Sequence, residues 1–269
     1  MTNDQELTEL LKVRRYNPLH KPKAEQVIFT ISGKVVGTLE NYCVISGLPK
    51  ASKSTYAAAV ISSALVPPFQ SIFGIKLQTP KERNRIAYFD TESSQYDFYR
   101  QMERIKNFAS KESIPDFLDA FSFREDMPKR IRAMIELYLI NNSDCSVIVV
   151  DGLLDLCLNY NDETETRLLT NWFKRITKQY NILMIGVLHL GKGHGETLGH
   201  LGSNTDRWAQ STLLVERNRE TKQFILKPKY LRSSDEFEPI AIMNFNGQWN
   251  QVPMIETDTI TLPKKVKKS

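Results

Sequence analysis

Apolar runs and helically spaced apolar positions alternate along most of this chain. Residues 27–31 and 35–39 flank Ser32-Gly33, which predicts a hairpin. Residues 42–46, 85–89, 145–150 and 182–188 are almost continuously apolar and predict buried strands. Helical spacing occupies the intervals: 56–65, closed by Pro67-Pro68; 96–108; 128–139, with Ile131, Ile135 and Leu139 on one face; and 163–180. Residues 69–84 read as a loop or short irregular element, and 117–123 as an edge strand. Strands apolar on both sides, separated by helices, predict an α/β fold with a mostly parallel twisted sheet covered on both faces. After Ser211 the pattern becomes 211–216, 223–229, 239–244 and 248–252 with polar turns between, which predicts successive antiparallel strands.

The ends read differently. Residues 4–15 predict a short amphipathic helix with Leu7, Leu10 and Leu11 on one face, broken by Asn17-Pro18 and Lys21-Pro22. That helix either packs on a neighbouring subunit or lies loosely on its own domain. The expected organisation is an N-terminal helix and linker (1–24), one α/β domain (25–253) and a basic tail (254–269).

Composition narrows the class. At 269 residues, 41% apolar and 25% charged, the chain is ordinary globular material. It has no apolar run of about 18 residues, so no membrane span is expected. The start carries Asn3, Asp4, Glu6 and Glu9 and no signal-peptide core, which predicts a cytoplasmic protein. Cys43, Cys145 and Cys157 sit in or beside apolar runs without a C-x-x-C pattern, so buried reduced thiols are expected. The net charge of +5 is compatible with a polyanionic partner. Lys264, Lys265, Lys267 and Lys268 in the tail are either a sequence-blind phosphate contact or a solvated end.

The densest chemistry is Gly47-Leu48-Pro49-Lys50-Ala51-Ser52-Lys53-Ser54-Thr55. It lies between a predicted strand and a predicted helix, the context of a phosphate-binding P-loop. Amides at a helix start cradle phosphate oxygens, Lys53 reaches the β/γ-phosphates, and the Ser54 hydroxyl binds Mg²⁺. The expected cofactors are ATP and Mg²⁺. Ser52 stands where G-x-x-x-x-G-K-[ST] asks for glycine.

Ligands of parallel α/β sheets collect at the carboxyl ends of the strands, and each such end here carries a reactive group. Asp151 follows an apolar strand and is the candidate Mg²⁺ carboxylate. Glu92 ends 85–89 and is the candidate acceptor of the attacking water's proton, while Thr91 and Glu92 also suit a helix N-terminus. His189 ends 182–188 and is the candidate γ-phosphate sensor. Residues 190–203 then hold five glycines and predict a mobile loop. Its Lys192, His194 and His200 lack acidic or cysteine partners at metal-ligand spacing, so nucleic-acid contact is preferred over a metal site. Lys229 and Arg232 are either cationic fingers acting on a neighbour's site or part of a basic surface hairpin.

Together, the segment 33–39 leading into the P-loop, Asp90-Thr91-Glu92, the Asp151 strand and His189 with its Gly/Lys loop resemble the RecA-like P-loop ATPases. The similarity is greatest to the RepA-like and DnaB-like replicative helicases, with KaiC-like ATPases as relatives, and spans about residues 25–250. The resemblance implies a RecA-like core and a homo-oligomer, often a hexameric ring, with ATP at subunit interfaces. It implies a motor on nucleic acid, single-stranded DNA above all, in plasmid or mobile-element replication or mobilisation. It also implies that 190–203 faces the central channel. The alternatives are a KaiC- or recombinase-like ATP-dependent assembly module without motor activity, and a degenerate P-loop domain with a structural role.

Overall fold

The computed structural model describes residues 3–190 and 199–255. The chain opens with α1 (Asn3–Arg14), followed by β1 (Val27–Ile31), β2 (Lys34–Thr38), β3 (Tyr42–Gly47) and α2 (Lys53–Ser63). Next come β4 (Ile75–Leu77), β5 (Arg85–Asp90), α3 (Gln95–Phe108), β6 (Leu118–Ser122), α4 (Pro128–Asn141) and β7 (Cys145–Asp151). A 3-10 turn (Leu153–Leu156), α5 (Glu163–Gln179), β8 (Leu183–His189) and α6 (Gly199–Trp208) lead to β9 (Ser211–Arg217), β10 (Phe224–Leu231), β11 (Ile240–Phe245) and β12 (Gln248–Val252).

A nine-stranded sheet of order β12-β11-β10-β9-β3-β8-β7-β5-β6 organises the molecule. From β9 to β6 all neighbours are parallel, and β9 through β12 pair antiparallel. The period-2 alternation of each strand sorts its side chains onto two cores. Val147 and Val149 join Ala57, Ile61 and Ile105 beneath α2 and α3. Ile148 and Val150 face Ile135, Phe173 and Leu201 beneath α4, α5 and α6. The interior strands are therefore apolar throughout, while β6 lies at the edge, as its mixed sequence predicts.

Two expectations require correction and one needs an addition. Residues 69–84 contain β4, which pairs with β1 and completes a separate antiparallel sheet of order β2-β1-β4. Three residues are too few for a period to be read. Strand β9 pairs antiparallel with β10, as expected, and on its other edge runs parallel to β3, which extends the parallel sheet by one member. Finally, the loop predicted over 190–203 becomes α6 from Gly199 onward, so its glycines do not mark one continuous loop. Buried Leu201 anchors that helix to the α4/α5 core, and its amide donates to the Tyr160 carbonyl.

The predicted N-terminal helix forms, but residues 3–27 are exposed throughout and α1 buries nothing within its own chain. The three cysteines are free and buried, and burial pushes the thiols of Cys43 and Cys145 up to about 12 and that of Cys157 to about 11. Among the described residues, no helix is long and apolar enough to cross a membrane.

Candidate active site

The segment 47–55 turns from the end of β3 into α2. Gly47 pairs with His189 of β8 on one side and with Val215 of β9 on the other. A Cβ at Gly47 would lie 2.4 Å from the Val215 carbonyl oxygen, so the first glycine of the motif is required by sheet packing alone. Lys50 and Ser52 both adopt left-handed conformations, with φ of 65° and 67°. The second is the position where the motif expects glycine, so Ser52 takes a glycine-like backbone while keeping its side chain. Ser52 is also the N-cap of α2, and its side chain makes no capping bond. The first turn of α2 carries no acidic residue, which leaves the positive end of the helix without an internal counter-charge.

Glycine at position 52 would relieve about 1 kcal/mol of left-handed strain and add a similar amount of unfolded-chain entropy. Ser52→Gly is therefore expected to leave the melting temperature within about 2 °C of wild type. By letting the backbone approach more closely, it is expected to tighten ATP binding about threefold to tenfold. Calorimetric titration checks this, and weaker binding in the variant would refute it.

Lys53 starts the helix and is almost completely buried, at 4% exposure. Its Nζ donates to the Leu48 carbonyl at 3.1 Å and approaches His189 Nδ1 at 3.0 Å. Burial pushes its ammonium down to about 8, against the opposing pull of Glu92 and Asp151. On the other face of the imidazole, His189 Nε2 lies 3.0 Å from Glu92 Oε2. An ammonium only donates, so Nδ1 accepts and Nε2 carries the hydrogen donated to Glu92. That hydrogen bond, together with the Lys53 charge, holds the Glu92 carboxyl below its ordinary range despite partial burial.

Asp151 lies level with Asp90 in the β5–β7 pairing, and Val187 of β8 pairs with it on the other side. It is 7% exposed, and its carboxyl is pushed up to about 6, first by burial and then by Asp90. Hydrogen bonds from Ser54 and Tyr88 act in the opposite direction. The sequence-predicted Ser54 and Asp151 thus meet directly. The Gln101 side chain donates to the Ser54 carbonyl at 2.6 Å from α3, and Arg104 donates to Gln101.

Several groups at this edge carried no catalytic or binding role in the sequence reading. Tyr88 Oη lies between Asp151 and Asp90. Asp90 accepts from the amides of Glu92 and Ser93. Thr91 Oγ1 is within hydrogen-bond distance of the Asp151 and Gly152 carbonyls and of Asp155 Oδ2. The helix-cap role expected of Thr91 and Glu92 falls instead to Ser94, whose side chain accepts from the Asp97 amide. Gly152 has φ 115°, and a Cβ there would come within 2.0 Å of Thr91 Oγ1, so glycine keeps this crossing tight. The legible signal was the Asp90-Thr91-Glu92 run itself; the missing information was that β5 and β7 are adjacent.

A cavity of about 670 Å³ borders residues 48–51. Leu48, Pro49, Leu214 and Ile225 supply apolar walls, and Arg217 and Arg219 stand at the β9–β10 turn. Its size and mixed lining suit a nucleobase and ribose next to bound phosphates. Arg217 ends β9 and Arg219 follows it, and that end lies beside residues 47–51 only because β9 pairs with β3. Another cavity, about 640 Å³ between α3 and the β11–β12 hairpin, contains none of the sequence-predicted site residues.

Lys229 and Arg232 are not brought to this edge. Strand β10 starts level with the phosphate loop and runs away from it, with Leu226 opposite Val215 and Leu231 opposite Ser211. At about 3.3 Å per residue, they lie roughly 10–20 Å from their own chain's site along the strand. Lys229 forms an ion pair of 2.7 Å with Asp206, and Arg232 donates to the Arg207 carbonyl. His200 is exposed on α6, while Lys192 and His194 lie outside the described residues.

Among the described residues, no group of three or more His, Cys, Asp or Glu side chains is arranged to hold a metal alone. A nucleotide-bound Mg²⁺ asks for less: one hydroxyl, one carboxylate, phosphate oxygens and water. The Ser54 hydroxyl and the Asp151 carboxyl, brought near one another at this edge, match that donor set, and a cation there would offset the burial that pushes the Asp151 carboxyl up. No protein-family model matches the chain, and no curated protein matches it.

Proposed function

We propose that this protein is an Mg²⁺-dependent ATPase of the RecA-like type that acts on nucleic acid as a homo-oligomer. The observation that carries the reading is the convergence of Lys53, Ser54–Asp151 and Glu92–His189 on one sheet edge at the open N-terminus of α2. Backbone amides of the loop and the Lys53 ammonium bind the triphosphate. Ser54 and Asp151 hold the Mg²⁺, which supplies neutralisation of β/γ-phosphate charge. Glu92 stays ionised through its bond to His189 and accepts the proton of the attacking water. His189 touches both Lys53 and Glu92, so it is suited to report whether the γ-phosphate is in place.

The nucleic-acid half of the reading rests on the +5 net charge, the lysine tail and the resemblance to replicative helicases. Exposed α1, with its apolar Leu7, Leu10 and Leu11, is compatible with packing on another copy. ATP hydrolysis is expected to require Mg²⁺ and to rise several-fold with single-stranded DNA at low salt. Glu92→Gln is expected to bind ATP normally while turnover falls by about 10²–10⁴. Equal turnover in that variant would remove Glu92 from the chemistry. Molecular mass measured with and without ATP tests assembly. Ser52 at the glycine position favours one other reading, a slow ATPase in which nucleotide sets an assembly state. Turnover indifferent to DNA, with ATP-dependent assembly, would select it.

A further inference from the structure

We propose that Tyr88 is a positioning residue that couples Asp151 to the backbone carrying Glu92, an inference that rests on the ATPase reading of this site. Tyr88 lies in the interior of β5 and is fully buried. Its ring stacks on Phe98, with centroids 6.2 Å apart and planes inclined by 4°. Phenylalanine would meet that packing equally well, so packing does not account for the hydroxyl. The hydroxyl instead lies 3.0 Å from Asp151 Oδ2 and 3.1 Å from Asp90 Oδ2. Asp90, 1% exposed, uses its other oxygen to accept from the amides of Glu92 at 3.0 Å and Ser93 at 2.7 Å.

These contacts form an unbroken chain. The carboxylate at the end of β7 meets a phenol, the phenol meets a second carboxylate, and that carboxylate fixes the turn bearing Glu92. A phenol has one proton and here faces two carboxylates, so it donates to whichever is the better acceptor. When a cation engages Asp151, that carboxylate becomes the poorer acceptor and the proton turns to Asp90. The turn at Glu92 is then anchored most firmly when the Asp151 site is filled. The contact also steadies Asp90 in the ligand-free chain, where the phenol proton is shared between two carboxylates at 3.0 and 3.1 Å.

Tyr88→Phe keeps the ring and deletes the link. In ligand-free protein, hydrogen exchange at the Glu92 and Ser93 amides is expected to speed up about tenfold, with exchange in the β7 core unchanged. With MgATP, the dissociation constant is expected to stay within about threefold while kcat falls about tenfold to a hundredfold. Asp90→Asn retains an acceptor for the two amides and a donor toward the Tyr88 oxygen, so it is expected to preserve most of kcat, whereas Asp90→Ala is not. Wild-type exchange and wild-type kcat in folded Tyr88→Phe overturn the proposal. If Tyr88→Phe does not fold, equal loss in Asp90→Asn and Asp90→Ala overturns it, and loss confined to Asp90→Ala supports it. Wild-type protein that binds ATP without hydrolysing it overturns the ATPase reading instead, and the exchange comparison, which needs no nucleotide, still decides the coupling.

Discussion

Lys53→Ala is expected to reduce ATP hydrolysis at least about a thousandfold, the loss associated with deleting a preorganised charge from a water-poor site. Lys53 is the cation at the start of α2, it is 4% exposed, and its ammonium already points among Leu48, His189 and the Glu92 carboxylate. No other lysine or arginine is bonded to His189 among the described residues. The variant also removes the donor that fixes the His189 tautomer, so Glu92 loses its orientation as well as the site losing its charge. Binding is expected to weaken less than turnover, because the loop amides remain. A steady-state ATPase assay alongside calorimetric titration separates the two effects. Undiminished hydrolysis in purified, folded Lys53→Ala would remove the central role given to the loop.

Asp151→Asn is expected to move stability and activity in opposite directions. The Asp151 carboxyl ordinarily titrates at 3.8 and is pushed up to about 6 in the folded chain, chiefly by burial. The folded state therefore holds this proton more tightly than the unfolded one. The stability that accompanies the proton is fully present below about pH 4 and is lost as pH rises through about 6. At about 1.36 kcal/mol per pH unit, the rise from 3.8 to about 6 corresponds to roughly 3 kcal/mol at neutral pH. Asparagine carries no charge to desolvate and still offers an oxygen to Tyr88 and Ser54. The variant is expected to be more stable than wild type by about 2 kcal/mol near pH 7, or roughly 5 °C in melting temperature, and indistinguishable from it below about pH 4. Its Mg²⁺-dependent hydrolysis is expected to fall at least about a hundredfold. Thermal melts across pH, with ATPase assays on the same preparations, check both halves. A less stable variant at neutral pH that still hydrolyses ATP would refute both the electrostatic account and the metal assignment.

The two residues were legible to different degrees. Lys53 stood inside a contiguous motif whose meaning depends only on the neighbouring strand and helix, and both formed where the apolar pattern placed them. Asp151 was legible as the end of a strand, but its contact with Ser54 joins residues nearly a hundred positions apart. Glu92 and His189 carried less local signal still, because a carboxylate or an imidazole at a strand end has many ordinary uses. Their hydrogen bond gives them a shared one. Tyr88 could not have been singled out, since a tyrosine in an apolar strand is indistinguishable in sequence from one placed for packing. Arg217 and Arg219 were missed because nothing local to that segment shows that β9 pairs with β3 beside residues 47–55.

The sequence by itself determined the alternation of buried strands and covering helices, the turn from β3 into α2 that carries residues 47–55, and the set of polar residues at the strand ends. Those features are local, resting on side-chain periodicity, turn chemistry and contiguous spacing. Only the tertiary structure decided the strand order, the parallel pairing of β9 with β3, the Lys53–His189–Glu92 contacts and the Tyr88 link between Asp151 and Asp90. Each of these depends on which strands lie side by side. Strand adjacency is set by how the whole sheet closes over its two cores, and no single segment's periodicity records it.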